Sequence, residues 1–412
     1  MEELRKTSDK LQRFGIFHPT VNMYLDEAPS STPDRPALSA LFSVSERGRL
    51  TLKTGTELGN AEGGGYFNAT LRNVFGGAES LYGSASKATS AADVGAHSRS
   101  SYEVVFAAPV VADPDTVAEI GGFVSSRNNR HFASHDEEVK GLRSGGKFLS
   151  RLGEHEVWYT GIWRQVTNLS DNASLSVRED AGDSIKSAVT HTLVRDRRDN
   201  KMLPTEGYFL KDYTEVAGFG QLGGDVAYIK KEVEGQKAAT LFKGISCSAG
   251  LRAGLILPLP RGFGENEAPI PSRINDRFFL GGATDIRGFR ENGIGPRDGQ
   301  DAVGGDMFLA GSASLLFPLP RLGPSSPFRF QAFVNGGRLV GLQGVGKTDL
   351  KRSLMDAVRE MGVGYPSMAA GVGLVYAHPA ARFELNFALP VVKRAEERTR
   401  KGLQFGVGIS FL

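Results

Sequence analysis

From Arg49 to the last residue, this chain is a succession of short segments in which apolar and polar residues alternate. In the closing segment Leu403, Phe405, Val407, Ile409 and Phe411 share one side, while Gln404, Gly406, Gly408 and Ser410 share the other. Phe383, Leu385, Phe387 and Leu389 alternate in the same way with Arg382, Glu384 and Asn386, and Phe67, Ala69 and Leu71 with Asn68, Thr70 and Arg72. A period of two is the signature of a strand with one apolar face. It predicts sixteen strands, at 50–58, 65–74, 79–87, 98–107, 117–126, 139–149, 154–165, 185–194, 207–217, 226–234, 246–257, 306–317, 328–335, 368–377, 382–389 and 403–412. An even number suits an antiparallel barrel whose two ends meet on the same side. A soluble sandwich has the same period with its polar faces outside. The strand count and the 52 glycines in 412 residues favour the barrel.

The first 48 residues read differently. Leu4, Leu11, Phe14 and Phe17 fall on one side of a helix predicted over 2–17, strands follow at 21–25 and 38–45, and Ala28-Pro29-Ser30-Ser31-Thr32-Pro33 forms the turn between them. No run of about 18 apolar residues is present, and the start lacks a signal-peptide apolar region. Neither fact excludes a membrane, because a barrel strand crosses with about ten alternating residues.

Charge and cysteine narrow the chemistry. Lysine plus arginine (49) against aspartate plus glutamate (46) leaves +3, too little to imply nucleic acid as a partner. Cys247 is the single cysteine, and the histidines are scattered singly. No metal site, cofactor or nucleophile–base pair can be built from them, so no enzyme is expected. Gly341-Leu342-Gln343-Gly344-Val345-Gly346-Lys347-Thr348 fits a phosphate-loop pattern ahead of a helix with Leu350, Leu354 and Val358 on one side. No aspartate follows Asp356 to organise a metal, and no βαβ units surround it, so the match reads as chance.

The densest signal is Arg277-Phe278-Phe279-Leu280-Gly281-Gly282-Ala283-Thr284-Asp285-Ile286-Arg287-Gly288-Phe289, running on to Pro296. It sets Arg287 in a glycine-rich stretch of a long loop, 258–304. With Leu71-Arg72-Asn73-Val74-Phe75-Gly76-Gly77-Ala78-Glu79, Ala302-Val303-Gly304-Gly305-Asp306 and the closing strand, it carries a resemblance over nearly the whole chain. The chain resembles the core barrel subunits of the mitochondrial sorting and assembly machinery, within the superfamily of POTRA-bearing barrels that assemble outer-membrane proteins.

The resemblance implies an all-β fold, a sixteen-stranded antiparallel transmembrane β-barrel over 49–412, with a small, incomplete POTRA domain over 1–48. That piece has room only for the second helix and last two strands of a βααββ unit. It implies a mitochondrial outer-membrane protein with its N-terminal domain in the intermembrane space. Its partners would be β-barrel precursor proteins, peripheral subunits on the cytosolic face and the lipid bilayer, and it would insert its clients without covalent chemistry. A passive pore or translocating barrel is the alternative. The loop motif Ile286, Arg287, Gly288 and Phe289 would dock in the lumen. Bacterial relatives place carboxylates for this arginine near the positions that hold Leu316 and Asn335 here. A buried, unpaired arginine costs several kcal/mol, so another partner is expected. Period-two counting puts Gln331 and Asn335 on one face and Glu384 and Asn386 on another, which makes Glu384 the expected ion-pair partner and Asn335 a neutral acceptor.

The gate would lie between the first strand, Leu50, Thr51, Leu52, Lys53, Thr54, Gly55, Thr56, Glu57 and Leu58, and the last. Gln404, Gly406, Ile409 and Phe411 fit the export signal that the family reads in its clients, a polar residue, a glycine and two spaced hydrophobics. Trp158, Tyr159 and Trp163 are expected in an aromatic girdle, and the charged run from Lys393 to Lys401 in a solvated hairpin.

Overall fold

The computed structural model describes residues 2–30, 37–58, 62–90, 98–242, 244–260, 268–321, 326–343, 345, 350–379 and 381–408. Helix α1 (Glu2–Arg13) and a two-stranded sheet, β1 (Asn22–Glu27) and β2 (Leu38–Ser43), come first. Then follow β3 (Leu50–Leu58), β4 (Glu62–Arg72), β5 (Ser80–Ser90), β6 (Ser98–Val110), β7 (Asp113–Asn128), α2 (Arg130–Ala133), β8 (Asp136–Leu149), β9 (Glu154–Thr167) and α3 (Leu175–Glu179). Next come β10 (Gly182–Asp196), β11 (Gly207–Ala217), β12 (Tyr228–Phe242), β13 (Ile245–Pro258) and a two-residue ladder of β14 (Arg297–Asp298) with β15 (Asp301–Ala302). The chain ends through β16 (Met307–Pro318), β17 (Phe328–Val340), α4 (Leu350–Gly362), β18 (Ser367–Ala377), β19 (Arg382–Val392) and β20 (Gly402–Gly408).

Sixteen of these strands form one antiparallel sheet in chain order, from β3 at one end to β20 at the other. Between β3 and β20 the β14–β15 ladder alone is set aside, because it belongs to the long loop between β13 and β16. Connections at one end of the sheet are tight, as at Val110–Asp113 and Phe242–Ile245. At the opposite end lie α2, α3, α4 and the long loop. α1 packs at the tight-turn end, where Arg13 pairs with Asp115 and Lys10 lies 3.8 Å from Asp113.

Burial decides which way the alternation points. Leu385 and Phe387 are 43% and 47% exposed, whereas Glu384 and Asn386 between them are 0% and 1% exposed. The inversion recurs around the sheet. Leu52, Phe67, Val104, Ile120, Leu142, Leu251, Leu309 and Phe330 face outward, while Arg164, Glu215, Gln331, Asn335 and Arg382 are buried. A soluble sandwich would show the opposite, so the sheet is a barrel with an apolar exterior and a polar interior. No helix among the described residues is long and apolar enough to cross a membrane.

The lumen is filled by the long loop. Its Phe278, Leu280, Ile286, Phe289 and Ile294 pack against Tyr228, Ile256, Phe308, Leu339 and Ala369 of the wall in one buried cluster. The helix before β18 departs from expectation in its facing. α4 buries Ser353 and Ala357 and half-buries Leu350 and Leu354, whereas Val358 lies on the exposed side. Small residues take the contact stripe because the helix sits close over the barrel mouth.

Candidate functional site

Two short bridges, Phe278 with Gly305 and Leu280 with Ile294, fold the loop into a narrow tongue. At its tip the Gly281 N–H donates to Asp285 Oδ2 at 2.7 Å, and the turn projects Ile286, Arg287, Gly288 and Phe289 against β17, β18 and β19. The Arg287 guanidinium meets Glu384 through Nε and Nη2, each 2.9 Å from Oε2. Its plane lies 4.8 Å from the Phe333 ring. Glu384 also accepts from Asn386 Nδ2 at 2.7 Å and Gln331 Nε2 at 3.2 Å, and pairs with Arg382 at 2.6 Å. One carboxylate therefore serves two buried arginines. Burying these ions is eased by the opposite charge and by the hydrogen bonds that Asn386 and Gln331 give to Oε2. With its amide turned to satisfy its neighbours, Asn335 accepts from the Arg287 backbone N–H at 2.8 Å and donates to the Ala369 carbonyl. It holds the backbone of Arg287, not its charge.

The glycine of the motif is required by space. Gly288 has φ +87°, and a Cβ there would come within 2.6 Å of Ala369 Cβ. Ile286 fills the room left by Gly337, where a Cβ would meet Ile286 Cδ1 at 2.6 Å. The tongue is also tied to the approach to β20. The Arg400 N–H donates to the Gly288 carbonyl at 2.9 Å, the Arg290 N–H to Arg398 at 3.0 Å, and the Arg398 N–H to Gly293 at 2.9 Å. From β20 itself, Gln404 Oε1 accepts from the Gly288 N–H at 2.9 Å.

A second anchor, which the sequence reading did not single out, holds the base of the tongue on β9, β10, β11 and β12. Asp276 receives both terminal nitrogens of Arg164, at 2.7 and 2.6 Å, and the Tyr228 hydroxyl at 2.7 Å. Glu215 accepts from Lys186 at 2.7 Å and from Tyr213 at 2.8 Å, which balances the remaining charge. Burial alone would push the Asp276 carboxyl up, but Arg164 and Lys186 hold it well below the usual carboxylate range. The only sequence signal for this anchor was three charged residues and a tyrosine at inward positions of four separate strands.

A profile of the Omp85 superfamily domain matches residues 73–411. A SAM50-like protein of Schizosaccharomyces pombe is 40% identical over the whole chain, which spans 82% of that relative. The human sorting and assembly machinery component 50 homolog is 32% identical, again over the whole chain and 83% of its own length. The chain belongs to the Omp85 superfamily. Among solved structures, BamA from Haemophilus ducreyi lacking POTRA domains 1–3 superposes with a TM-score of 0.74 at 16% identity, covering 98% of this chain and 78% of that one. CdiB from Acinetobacter baumannii gives 0.54 at 12% identity, covering 99% and 67%.

The gate residues singled out in the sequence fall at the ends of the Omp85 sheet. Leu50–Leu58 is β3, whose Leu50 and Leu52 face outward and whose Thr51 hydroxyl accepts from Arg72 at 2.6 Å. It pairs with β4 on one side only among the described residues, and β20 pairs only with β19. Gln404 and Gly406 face inward on β20, while Ile409 and Phe411 lie outside the described residues, as do Gly344, Gly346, Lys347 and Thr348 of the phosphate-loop-like stretch. The aromatic girdle needs correction at one position. Trp158 is buried on the lumen side beside Arg143 and Lys147, because it neighbours outward-facing Tyr159 and adjacent strand residues must face opposite ways. The run after Lys393 is not only a solvated hairpin: Glu397 is buried, and Arg398 and Arg400 hold the tongue. Among the described residues no group of three or more potential metal ligands occurs.

Proposed function

We propose that this chain is an insertase that folds β-barrel precursors into the mitochondrial outer membrane through a lateral gate between β3 and β20. Residues 1–48 would be a partial POTRA domain in the intermembrane space, and peripheral subunits would bind on the cytosolic face. The observation that carries this reading is the strand order, in which β3 and β20 are the two ends of the sixteen-strand sheet. The name of the human relative, a sorting and assembly machinery component, supports the same assignment.

The physical driver is strand addition. In lipid an unpaired strand edge leaves N–H and C=O groups that cost several kcal/mol each, so an incoming strand gains by pairing with Leu50–Leu58 as the native partner leaves. A client strand with the pattern of Gln404, Gly406, Ile409 and Phe411 would compete with β20 for that edge. Release of the native strand also breaks the Gln404 contact with Gly288, so the docked tongue would set how readily β20 moves. The free energy comes from strand pairing and from lipid burial of the client's apolar face, with no covalent step and no cofactor.

The test is disulfide crosslinking in membranes, in a Cys247→Ser background, between single cysteines along 50–58 and cysteines in the last strand of an arrested precursor. Register-specific crosslinks that displace pairing with 404–408 are expected. A native seam that stays intact while precursor accumulates would replace the insertase reading with that of a pore or scaffold.

A further inference from the structure

Above the docked tongue, at the end of the barrel that carries the helices, the lumen keeps a chamber of about 1220 Å³. Eight arginines line it against three carboxylates. The carboxylates are all engaged within the protein. Asp285 holds Arg252 at 2.9 Å and the Gly281 N–H, Glu137 accepts from Asn275, and Glu291 pairs with His131 at 3.3 Å. Arg277 is likewise turned into its own loop, onto Ser272 and the Val303 carbonyl.

The other six arginines of the chamber wall have no carboxylate within ion-pair distance among the described residues. Two of them, Arg297 and Arg398, converge on Gln300, where one takes the backbone carbonyl and the other the side-chain oxygen. Neutral oxygens leave the two like charges uncompensated. Partial burial and the neighbouring Arg398 both press the Arg297 guanidinium below its ordinary value. Asp301, next along the chain, is already committed to Ser134 and the Ser174 N–H.

A second feature points to a ligand with hydrogen-bond donors as well as negative charge. Asn129 lines the chamber and is 5% exposed, and its amide nitrogen lies 3.2 Å from His135 Nε2. Its Oδ1 is buried without a hydrogen-bond partner among the described residues. A buried acceptor of this kind is stabilised by an N–H brought from outside. The chamber extends to Gln404 and Phe405, so its contents would lie beside the edge strand.

We infer that the chamber is a binding site for an acidic polypeptide segment, whose carboxylates meet Arg297, Arg398 and their neighbours and whose backbone N–H meets Asn129. Arginine suits carboxylates because its planar fork binds them through two parallel hydrogen bonds. The segment belongs either to a protein bound at the loop end or to a chain passing through the lumen. Neither source requires the seam to open, so this site and the proposed gate can fail separately.

Binding of a fluorescent hexaglutamate peptide to the purified protein in nanodiscs is the first test, with hexalysine and pyrophosphate as comparison probes. Saturable hexaglutamate binding is expected, about tenfold weaker in an Arg297→Gln/Arg398→Gln double variant and weaker again as salt rises from 50 to 200 mM. An Arg99→Gln/Arg127→Gln variant, altered on β6 and β7 and not in the loop, is expected to weaken it too, and guards against a misfolded loop. Equal binding of hexalysine, equal displacement by pyrophosphate, or no change in either variant would overturn the site. A photo-crosslinker at position 129 in intact membranes then identifies the source. An acidic segment of a bound subunit or of a client in transit supports the proposal, whereas adducts to lipid or to neutral segments overturn it.

Discussion

The tongue is held at two places, and the two are electrostatic opposites. At the tip a loop cation, Arg287, sits in a cradle centred on one wall carboxylate, Glu384. At the base a loop carboxylate, Asp276, sits among wall cations, Arg164 and Lys186. Their positions in the sheet differ as much as their charge. β9 to β12 lie mid-way along the sixteen-strand order, across the barrel from its ends, whereas β19 is next to the edge strand β20. The base anchor therefore fixes the tongue to a part of the wall that has no reason to move. The tip anchor fixes it beside the strand that would have to move. A loop spanning the lumen in this way can report on the seam only if its far end stays fixed.

The largest effect should come from the carboxylate at the tip. Glu384→Ala removes the carboxylate that pairs with both Arg287 and Arg382, and removal of one partner of a buried pair costs about 3–5 kcal/mol. Arg287→Ala should cost less, because Glu384 keeps Arg382. Urea unfolding of the barrel in micelles checks the order. Equal losses would mean that Arg382 does not share the carboxylate.

The base anchor should come next. Asp276→Asn keeps shape and loses charge-assisted bonds to Arg164, with an expected loss of about 2–3 kcal/mol. Since the folded Asp276 carboxyl lies below its unfolded value of 3.8, its stabilisation is fully present above that value and is lost as pH falls through the lower folded one. The penalty of Asp276→Asn should therefore be the same at pH 7 and pH 5, and should shrink only in stronger acid. A penalty that fades between pH 7 and 5 would remove Asp276 from the anchor.

The two anchors were unequally legible in the sequence, for a physical reason. Strands follow from a local pattern, and all sixteen could be read from alternation, with discrepancies where alternation weakens. β12 runs on to Phe242 through Gly235 and a stretch of mixed residues, and β17 continues past Asn335 through Gly336 and Gly337. Those two glycines look like a break in sequence; in the fold Gly337 makes room for Ile286. At the tip, Arg287 lies in a dense local motif, and alternation puts Glu384 on a polar face. The base anchor is assembled from three inward charges and a tyrosine on four strands, so only the closed barrel brings Arg164, Lys186, Glu215 and Tyr228 around Asp276. The arginine chamber was illegible for the same reason.

A backbone change at the tip tests whether its shape matters apart from its charge. Gly288→Ala must hold φ near +87° and push on Ala369, at a cost of about 1–3 kcal/mol. Protease sensitivity of the loop should rise while the Asp276 end stays protected. Cleavage at both ends would mean that the tongue docks as one unit, with no division between the anchors.

The smallest effect on stability should fall where the effect on function is sharpest. Gln404→Ala removes the hydrogen bond from the Gly288 N–H, worth about 1 kcal/mol in a neutral pair, and two longer ones, at 3.4 Å, from its own amide nitrogen to the Phe289 and Arg400 carbonyls. It leaves both ionic anchors untouched, so the tongue should stay docked and protease-resistant. What it loosens is the link between tongue and edge strand. If docking restrains β20, client crosslinks to Leu50–Leu58 should form faster in this variant than in the wild type, although the barrel is scarcely less stable. Slower crosslinking would mean that the tongue instead holds β20 in the register a client needs, and that the tip anchor prepares the seam for exchange.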